Sequence, residues 1–264
     1  MKTMKFLLLA FLAASLLMLT NCSDDDDNPS NNNGDDETYY PMKVGNYWIY
    51  ESNDLDIDEE YVDGTYTMDS IVVTSVEEMY GKSSFKHVSY TKTEINDPWE
   101  FESETYFYSE GKKLYGLFDY IAPSDDLPLP LDITPGWVLL ADPDASDSWK
   151  VFEQNFVDQD FEYGGFSMVV NGDFTISVKK GASITFDNDG TPVTAKEYIL
   201  SYKFDGTANL ILDFDLVFEI VGHLWYAEGI GLIDYTVDPT SIGVATFSAD
   251  IDGNESLLER YFVQ

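Results

Sequence analysis

Apolar and polar side chains alternate along most of the chain after residue 39, and this alternation predicts strands with one buried and one solvated face. The clearest run covers residues 210–221, where every even position up to 220 is Leu, Phe or Ile. A second run at residues 198–205 places two tyrosines, a leucine and a phenylalanine on one face. A strand of about a dozen residues exceeds the usual five or six, which indicates a tall, curved sheet.

Shorter stretches with the same pattern predict further strands at residues 69–77, 84–93, 105–109, 114–118, 137–140, 149–156 and 174–179. Turn residues separate the strands at Gly81-Lys82, Glu110-Gly111, Lys180-Gly181, Asp187–Gly190 and Asp205-Gly206. Residues 254–260 suggest one short helix. We therefore expect a mostly β fold with little helix, in which residues 39–264 form a single antiparallel domain. It would be a tall curved sheet or half-barrel, with a β-sandwich as the alternative.

The first 21 residues predict a secretory signal peptide. Lys2 and Lys5 precede an apolar run at residues 6–19, which is interrupted only by Ser15 and is too short to span a bilayer comfortably. The following Leu19-Thr20-Asn21-Cys22 resembles a bacterial lipobox, although Asn21 replaces the usual small residue. The resemblance implies cleavage before Cys22 and acylation of its thiol, for instance with palmitate. The alternatives are an ordinary cysteine after a signal peptide, or an apolar run that stays as the anchor.

Residues 22–38 predict a flexible acidic tether. After Cys22 this stretch holds only Asp, Asn, Ser, Gly, Pro, Glu and Thr, so it has no apolar surface to bury. A flexible chain of this length spans roughly 22 Å. The run Asp24–Asp27 resembles the surface-export signal of Bacteroidetes-type lipoproteins. That resemblance implies an outer-membrane protein that faces outward, at the cell surface.

Composition excludes several classes of function. The formal charge of −35 repels nucleic-acid phosphate and anionic lipid headgroups, so membrane attachment must come from the lipid. Arg260 is the single arginine, which argues against a bidentate clamp for phosphate. Once Cys22 is acylated, no cysteine remains for a disulfide, a thiolate metal site or a nucleophile.

Two short motifs bracket most of the predicted domain. Val44-Gly45-Asn46-Tyr47-Trp48-Ile49-Tyr50 and, near the other end, Trp225-Tyr226-Ala227-Glu228-Gly229-Ile230-Gly231-Leu232 bracket about 190 residues. The pair resembles the opening and closing motifs of a group of Bacteroidetes-type surface lipoproteins, most of them uncharacterised. The resemblance implies an antiparallel β fold and carries no catalytic residue to this chain. In strand context, Gly229 and Gly231 indicate a bulge or close backbone packing rather than a dinucleotide site.

Candidate catalytic and metal-binding groups form no complete motif. His87 and His223 lack zinc-site spacing, and His223 is expected to be a structural or exposed histidine. A carboxylate pair for glycoside hydrolysis stays open, because 49 acidic residues produce close pairs by chance. We expect no cofactor, with a weak possibility of calcium at residues 142–147, 187–190 or 250–255, although turn chemistry explains these stretches equally well.

These observations predict a non-enzymatic, lipid-anchored binding or carrier module of the cell surface. Its ligand would be a lipid-like molecule on the apolar strand face that includes Leu212, Phe214 and Phe218, or a glycan on loop aromatics such as Trp99 and Trp137. The first interpretation requires a cavity, and the second requires exposed aromatic rings. The alternative is a structural or adhesive surface protein without a small ligand, and an enzyme comes third.

Overall fold

The computed structural model describes residues 40–118, 134, 136–163, 166–188, 190–209, 213–244 and 247–264. These residues form fourteen strands and no α-helix: β1 Tyr47–Leu55, β2 Thr67–Met79, β3 Lys82–Lys92, β4 Glu100–Glu110, β5 Lys113–Leu117, β6 Trp137–Ala141, β7 Ser148–Tyr163, β8 Phe166–Asn188, β9 Thr191–Asn209, β10 Asp213–Ala227, β11 Gly231–Val237, β12 Thr240–Val244, β13 Phe247–Ile251 and β14 Gly253–Phe262. Cys22 and the predicted signal peptide and tether lie outside the described residues.

All strands belong to one antiparallel sheet. Twelve of them follow the order β6-β5-β4-β3-β2-β1-β14-β11-β10-β9-β8-β7, while β12 pairs with β10 and β13. The two ends of the domain sequence therefore meet in the middle of the sheet, where β1 pairs with β14 from Tyr47–Phe262 to Leu55–Gly253. Every other pair on this path joins neighbouring hairpin strands, apart from β14 with β11.

The sheet curls until its two edges approach each other, which gives a barrel-like shape. The edge strands β6 and β7 are consecutive in the sequence and are joined by the short loop 142–147. The Trp149 indole on β7 donates to the Leu139 carbonyl on β6 over 2.8 Å. Phe118 also packs against Phe152, with ring centroids 5.2 Å apart. The predicted single antiparallel domain with a curved, half-barrel sheet is confirmed.

The core fills the concave side of this sheet with aromatic rings. Trp48, Phe174, Tyr198 and Phe204 are among its largest fully buried side chains. One continuous cluster joins residues of β1 and β2 to residues of β8, β9 and β10 across the interior. Burial of such large rings removes much apolar area from water, which is the main term that stabilises a chain without disulfides.

Three predicted elements are wrong. Residues 254–260 belong to β14 rather than to a helix, because β1 and β11 pair with both of its edges. Lys180-Gly181 is a bulge inside β8, between Lys180 and Ser183. Asp205-Gly206 lies inside β9, and the hairpin falls after Asn209 instead. By contrast, the hairpin at Asp187–Gly190 is confirmed, with Gly190 at φ +82° and its amide donating to the Asp187 carboxylate.

Candidate functional site

The two sequence motifs form one buried joint. The Trp48 indole donates to the Ile230 carbonyl over 2.6 Å, and the Tyr50 hydroxyl donates to the Leu232 carbonyl over 2.8 Å. Gly231, at φ +107°, leaves room for the Tyr40 and Trp48 rings, which lie 3.1–3.2 Å from where a Cβ would stand. The motifs therefore join the first strand of the domain to the β10–β11 hairpin. The expected close backbone packing at Gly231 is confirmed.

The segment before β1 packs against the same buried joint. Tyr40 is buried and stacks on Trp48 at 5.0 Å, with His87 and Phe107 within 6 Å. Asn46 has no exposed surface; its amide donates to the Pro41 carbonyl and its oxygen accepts from the Gln264 amide. These contacts are all internal, so the motif joint is part of the core and offers no surface to a ligand.

His87 is a core histidine. It has no exposed surface, its ring meets Phe107 edge-on at 4.8 Å, and its Nδ1 lies 3.1 Å from the Phe85 carbonyl. A carbonyl can only accept, so Nδ1 carries the proton and Nε2 is left as an acceptor without a partner. Burial lowers the pKa of His87 to about 4, which keeps the ring neutral at physiological pH.

The strand face predicted to line a lipid cavity packs into the core. Phe218 is buried and stacks on Phe204 at 5.8 Å, and half-buried Phe214 packs against the same cluster. Leu212 lies outside the described residues. The side chains of the protein itself occupy this face, so the described residues offer little room there for an acyl chain.

The two tryptophans proposed for glycan binding are far apart. Trp99 is 38% exposed just before β4, with the Lys92 ammonium 4.7 Å from its ring centroid. Trp137 is half-buried at the start of β6, donates to the Met79 carbonyl and meets the ring of Tyr108 edge-on at 4.8 Å. Tyr108 lies near the other end of β4, so roughly 30 Å of strand separates the two indoles. The sheet therefore keeps the two indoles apart, and Trp137 packs against neighbouring residues of the protein.

An open acidic cleft lies on the outer face of the sheet, near the end where β1 finishes. Its volume is about 360 Å³, and it is lined by Leu55, Glu59, Tyr61, Thr236, Asp238, Pro239 and Glu255. Register explains the grouping, because Thr236 on β11 lies directly opposite both Glu255 on β14 and His223 on β10. The β1–β2 connection covers one side, where Tyr61 forms an isolated antiparallel bridge with Leu55.

The cleft concentrates negative charge around one tyrosine. The hydroxyl of Tyr61 donates to the Glu255 carboxylate, and this bond raises the pKa of Tyr61 to about 12. Partial burial, followed by the charge of Glu255, raises the pKa of the neighbouring Asp234 to about 6. The ring of Tyr61 remains 57% exposed. The site therefore combines an accessible aromatic ring with several carboxylate acceptors.

His223 lies beside this cleft, between two carboxylates. Its Nδ1 is 2.6 Å from Glu197 and its Nε2 is 3.2 Å from Asp238. Partial burial lowers the pKa of His223, but the hydrogen bonds with Glu197 and Asp238 outweigh burial and raise it above the ordinary value. The sequence does not reveal this cluster, because its members come from β9, β10 and the residue that follows β11.

The proposed calcium stretches make internal contacts. In the 142–147 loop, the Lys180 ammonium donates to the carbonyls of Pro143 and Ala145, and Asp142 accepts from the Asp144 amide. The Asp250 carboxylate accepts from the Ser241 hydroxyl. Among the described residues, no group of three or more His, Cys, Asp or Glu side chains is arranged to hold a metal ion. Calcium binding stays a prediction.

No protein-family model and no curated protein matches the chain. The structure is similar to that of a candidate lipoprotein from Parabacteroides distasonis, with 11% identity, a TM-score of 0.45 and coverage of 86% of this chain and 99% of that one. It is also similar to a candidate exported protein with a YmcC-like fold from Bacteroides fragilis, with 8% identity, a TM-score of 0.38 and the same coverage. Neither likeness bears on what this chain binds.

No helix in the described parts of the chain has the length and apolar character needed to cross a bilayer.

Proposed function

We propose that this protein is a lipid-anchored, non-enzymatic binding module of the outer cell surface, and that its ligand is a neutral glycan held in the acidic cleft. The observation that carries the proposal is the exposed Tyr61 ring beside the carboxylates of Glu255 and Asp238. A flat aromatic face packs against a sugar ring, while carboxylates accept hydrogen bonds from its hydroxyl groups.

The position of the cleft supports the binding of a ligand from outside the cell. The described chain begins at Tyr40, which packs on Trp48 near the start of β1. The cleft begins at Leu55, at the far end of the same strand, after roughly 23 Å of extended chain. A tether that joins the domain near Tyr40 would therefore leave the cleft on the side away from the membrane.

Other exposed aromatic rings gather at the same end. Tyr66 belongs to the β1–β2 connection, Trp99 to the β3–β4 connection and Phe101 to the start of β4; they are 38%, 38% and 50% exposed. By register, all three lie at the end of the sheet where β1 finishes. Rings at this end could contact further units of a longer glycan, so Trp99 keeps a proposed role in binding.

Charge narrows the ligand class. The chain carries a formal charge of −35, and the cleft is lined by three carboxylates with no lysine or arginine among its lining residues. These carboxylates would repel an anionic polysaccharide, whereas a neutral polysaccharide experiences no such repulsion. A hydrophobic ligand is less well supported, because Phe214 and Phe218 pack against the core.

The glycan proposal is tested by screening the Cys22-onward protein against neutral oligosaccharides and measuring hits by calorimetry. Tyr61→Ala is expected to weaken a cleft ligand by tenfold or more, about 1.4 kcal/mol. Tyr80→Ala is the matched control, since Tyr80 is also 57% exposed but lies in the β2–β3 turn at the opposite end. No binding to any neutral glycan, or equal losses in both variants, would refute the proposal and favour a structural or adhesive role.

The anchor is tested separately by growing the host with labelled palmitate. Label is expected on the wild-type protein and on the control Ser23→Ala, and it should be lost in Cys22→Ala. Two or more acyl chains hold a protein stably on a bilayer, because each buried methylene contributes ~0.8 kcal/mol. Label that survives Cys22→Ala, or none on the wild type, would end the lipoprotein assignment. Surface proteolysis of intact cells then tests the outward orientation.

A further inference from the structure

His223 links a carboxylate of the neighbouring strand to a carboxylate that lines the cleft. On one side its Nδ1 meets Glu197 of β9 at 2.6 Å, and on the other its Nε2 meets Asp238, just after β11, at 3.2 Å. The Asp238 carboxylate lines the cleft, and Pro239 follows it. The ring therefore connects the middle of the sheet to the turn that borders the proposed ligand site.

Both contacts require a protonated ring. An ionised carboxylate only accepts hydrogen bonds, and a neutral imidazole has a single N–H to donate. Two carboxylates can therefore be satisfied at once only by the imidazolium form. Loss of its proton leaves one of them without its donor and removes the positive charge between them.

The contact of His223 with Glu197 is shorter and more buried than its contact with Asp238. The side chain of Glu197 is 11% exposed, and its second oxygen accepts from the Ala182 amide at the β8 bulge. Gly181 fits against this carboxylate, because a Cβ there would lie 1.8 Å from Glu197 Oε2. The side chain of Asp238 is 47% exposed and makes the longer bond. Deprotonation of His223 should therefore release Asp238 first.

We propose that His223 is a proton-operated latch, which orders the Asp238–Pro239 side of the cleft when protonated and releases it when neutral. This inference rests on the proposed function of the cleft as a binding site. The ionisable groups that face the ring are Glu197 from β9, Asp238 after β11 and Asp234 from β11, and all three are acidic. Thr236, directly opposite on β11, is neutral.

The direction of the pH effect follows from these partners. The hydrogen bonds with Glu197 and Asp238 raise the pKa of His223 above the ordinary histidine value, so the latch is closed in acidic solution and opens, as the pH rises, later than an isolated histidine would lose its proton. A ligand that needs an ordered Asp238 then binds more weakly at high pH. Coupled sites typically change affinity by about fivefold or more, which sets the size of the expected effect.

The latch can be tested without any ligand by NMR titration of the free protein. The chain holds two histidines, so its imidazole spectrum is simple, and His87, with a pKa of about 4, titrates well apart from His223. The His223 midpoint is expected above 6.5, and the amide signals of Asp238 and Thr240 should shift with the same midpoint. In His223→Gln these amides should already show their high-pH positions. A midpoint at or below 6.5, or amides that do not follow it, would overturn the latch.

Ligand binding provides a second test of the latch, with any neutral oligosaccharide that binds the cleft as the probe. Wild-type affinity is expected to fall about fivefold or more from mildly acidic to alkaline pH. Asp238→Asn retains an acceptor but loses the charge, so its affinity should vary much less with pH. A pH-independent wild-type affinity would overturn the latch as a control of binding. Failure to bind at every pH would refute the cleft function alone, and the NMR titration would still decide whether the latch exists.

Discussion

At the scale of single residues, the burial of His87 makes the stability of the fold depend on pH. Its ring is neutral, fully buried and enclosed by Tyr40, Trp48 and Phe107. A charged ring would carry an Nε2–H that needs an acceptor, and no acceptor among the described residues lies within hydrogen-bonding distance of it. The fold therefore favours the neutral histidine, whereas the unfolded chain takes up a proton near the ordinary pKa of 6.5.

We predict that this histidine makes the fold sensitive to acid. Between pH 6.5 and about 4 the unfolded state binds more protons, so stability falls as the pH falls through this window. The loss is roughly 3 kcal/mol, since each pKa unit corresponds to ~1.4 kcal/mol. Urea unfolding of the wild type and of His87→Gln at several pH values measures it.

The difference between the two proteins isolates His87 from other titrating groups. Burial, and then the charge of Asp69, raises the pKa of Glu102 to about 7, so Glu102 contributes with the opposite sign between pH 4.5 and 7. That contribution is common to both proteins and cancels in the comparison. An unchanged pH profile in His87→Gln would show that His87 does not set the acid sensitivity.

At the scale of elements, the motif joint connects β1 to the β10–β11 hairpin through the Trp48 indole. We predict that Trp48→Phe costs about 2–4 kcal/mol, because it leaves the Ile230 carbonyl without its donor and opens a cavity. Thermal unfolding measures the loss. Trp99→Phe is the control and should change stability by less than about 0.5 kcal/mol, since Trp99 is partly exposed and makes no hydrogen bond of this kind. Equal effects would argue against a special role for the joint.

The long strands β8 and β9 depend on a close approach between two glycines. Gly172 and Gly206 are register partners, and a Cβ on Gly206 would lie 2.2 Å from the Asn171 carbonyl oxygen. Backbone atoms cannot move aside cheaply, so Gly206→Ala should destabilise the fold by about 2 kcal/mol or more. Gly136→Ala is the control, since its nearest neighbour atom would be 3.9 Å away. Chemical denaturation compares the two, and a neutral Gly206→Ala would contradict this packing.

The sequence predicts the positions of the strands better than it predicts how they pack together. Alternation located most strands correctly, because side-chain period is a local property of the sequence. Gly206 was misread as a turn, because a glycine that permits close packing and one that turns the chain look alike in sequence. The cleft could not be predicted, since Tyr61 meets Glu255 only through the pairing of β1 with β14, and Thr236 meets Glu255 only through the pairing of β11 with β14. Strand register across nearly the whole domain is not a local property.

At the scale of the whole molecule, excess negative charge opposes compaction. The formal charge is −35, and the ion pairs described involve mostly exposed side chains, such as Lys82 with Glu110. We predict that the melting temperature rises when NaCl increases from ~10 mM to ~150 mM, as the screening length falls from about 30 Å to about 8 Å. Scanning calorimetry checks it, with an isosmotic neutral osmolyte as the control. A melting temperature that falls with salt would show that attractive ion pairs dominate.

The pairing of β1 with β14 has a consequence for how the protein would reach its location. A sheet whose central pair joins residues 47–55 to residues 253–262 cannot be completed until the last of these has been synthesised. Contacts of such large sequence separation also form slowly, because a long loop must close first. A chain with this topology should therefore remain unfolded during synthesis and stay competent for passage through a narrow translocation pore. For the exported protein proposed above, the order in which the strands pair thus favours folding after export, when the complete chain is available.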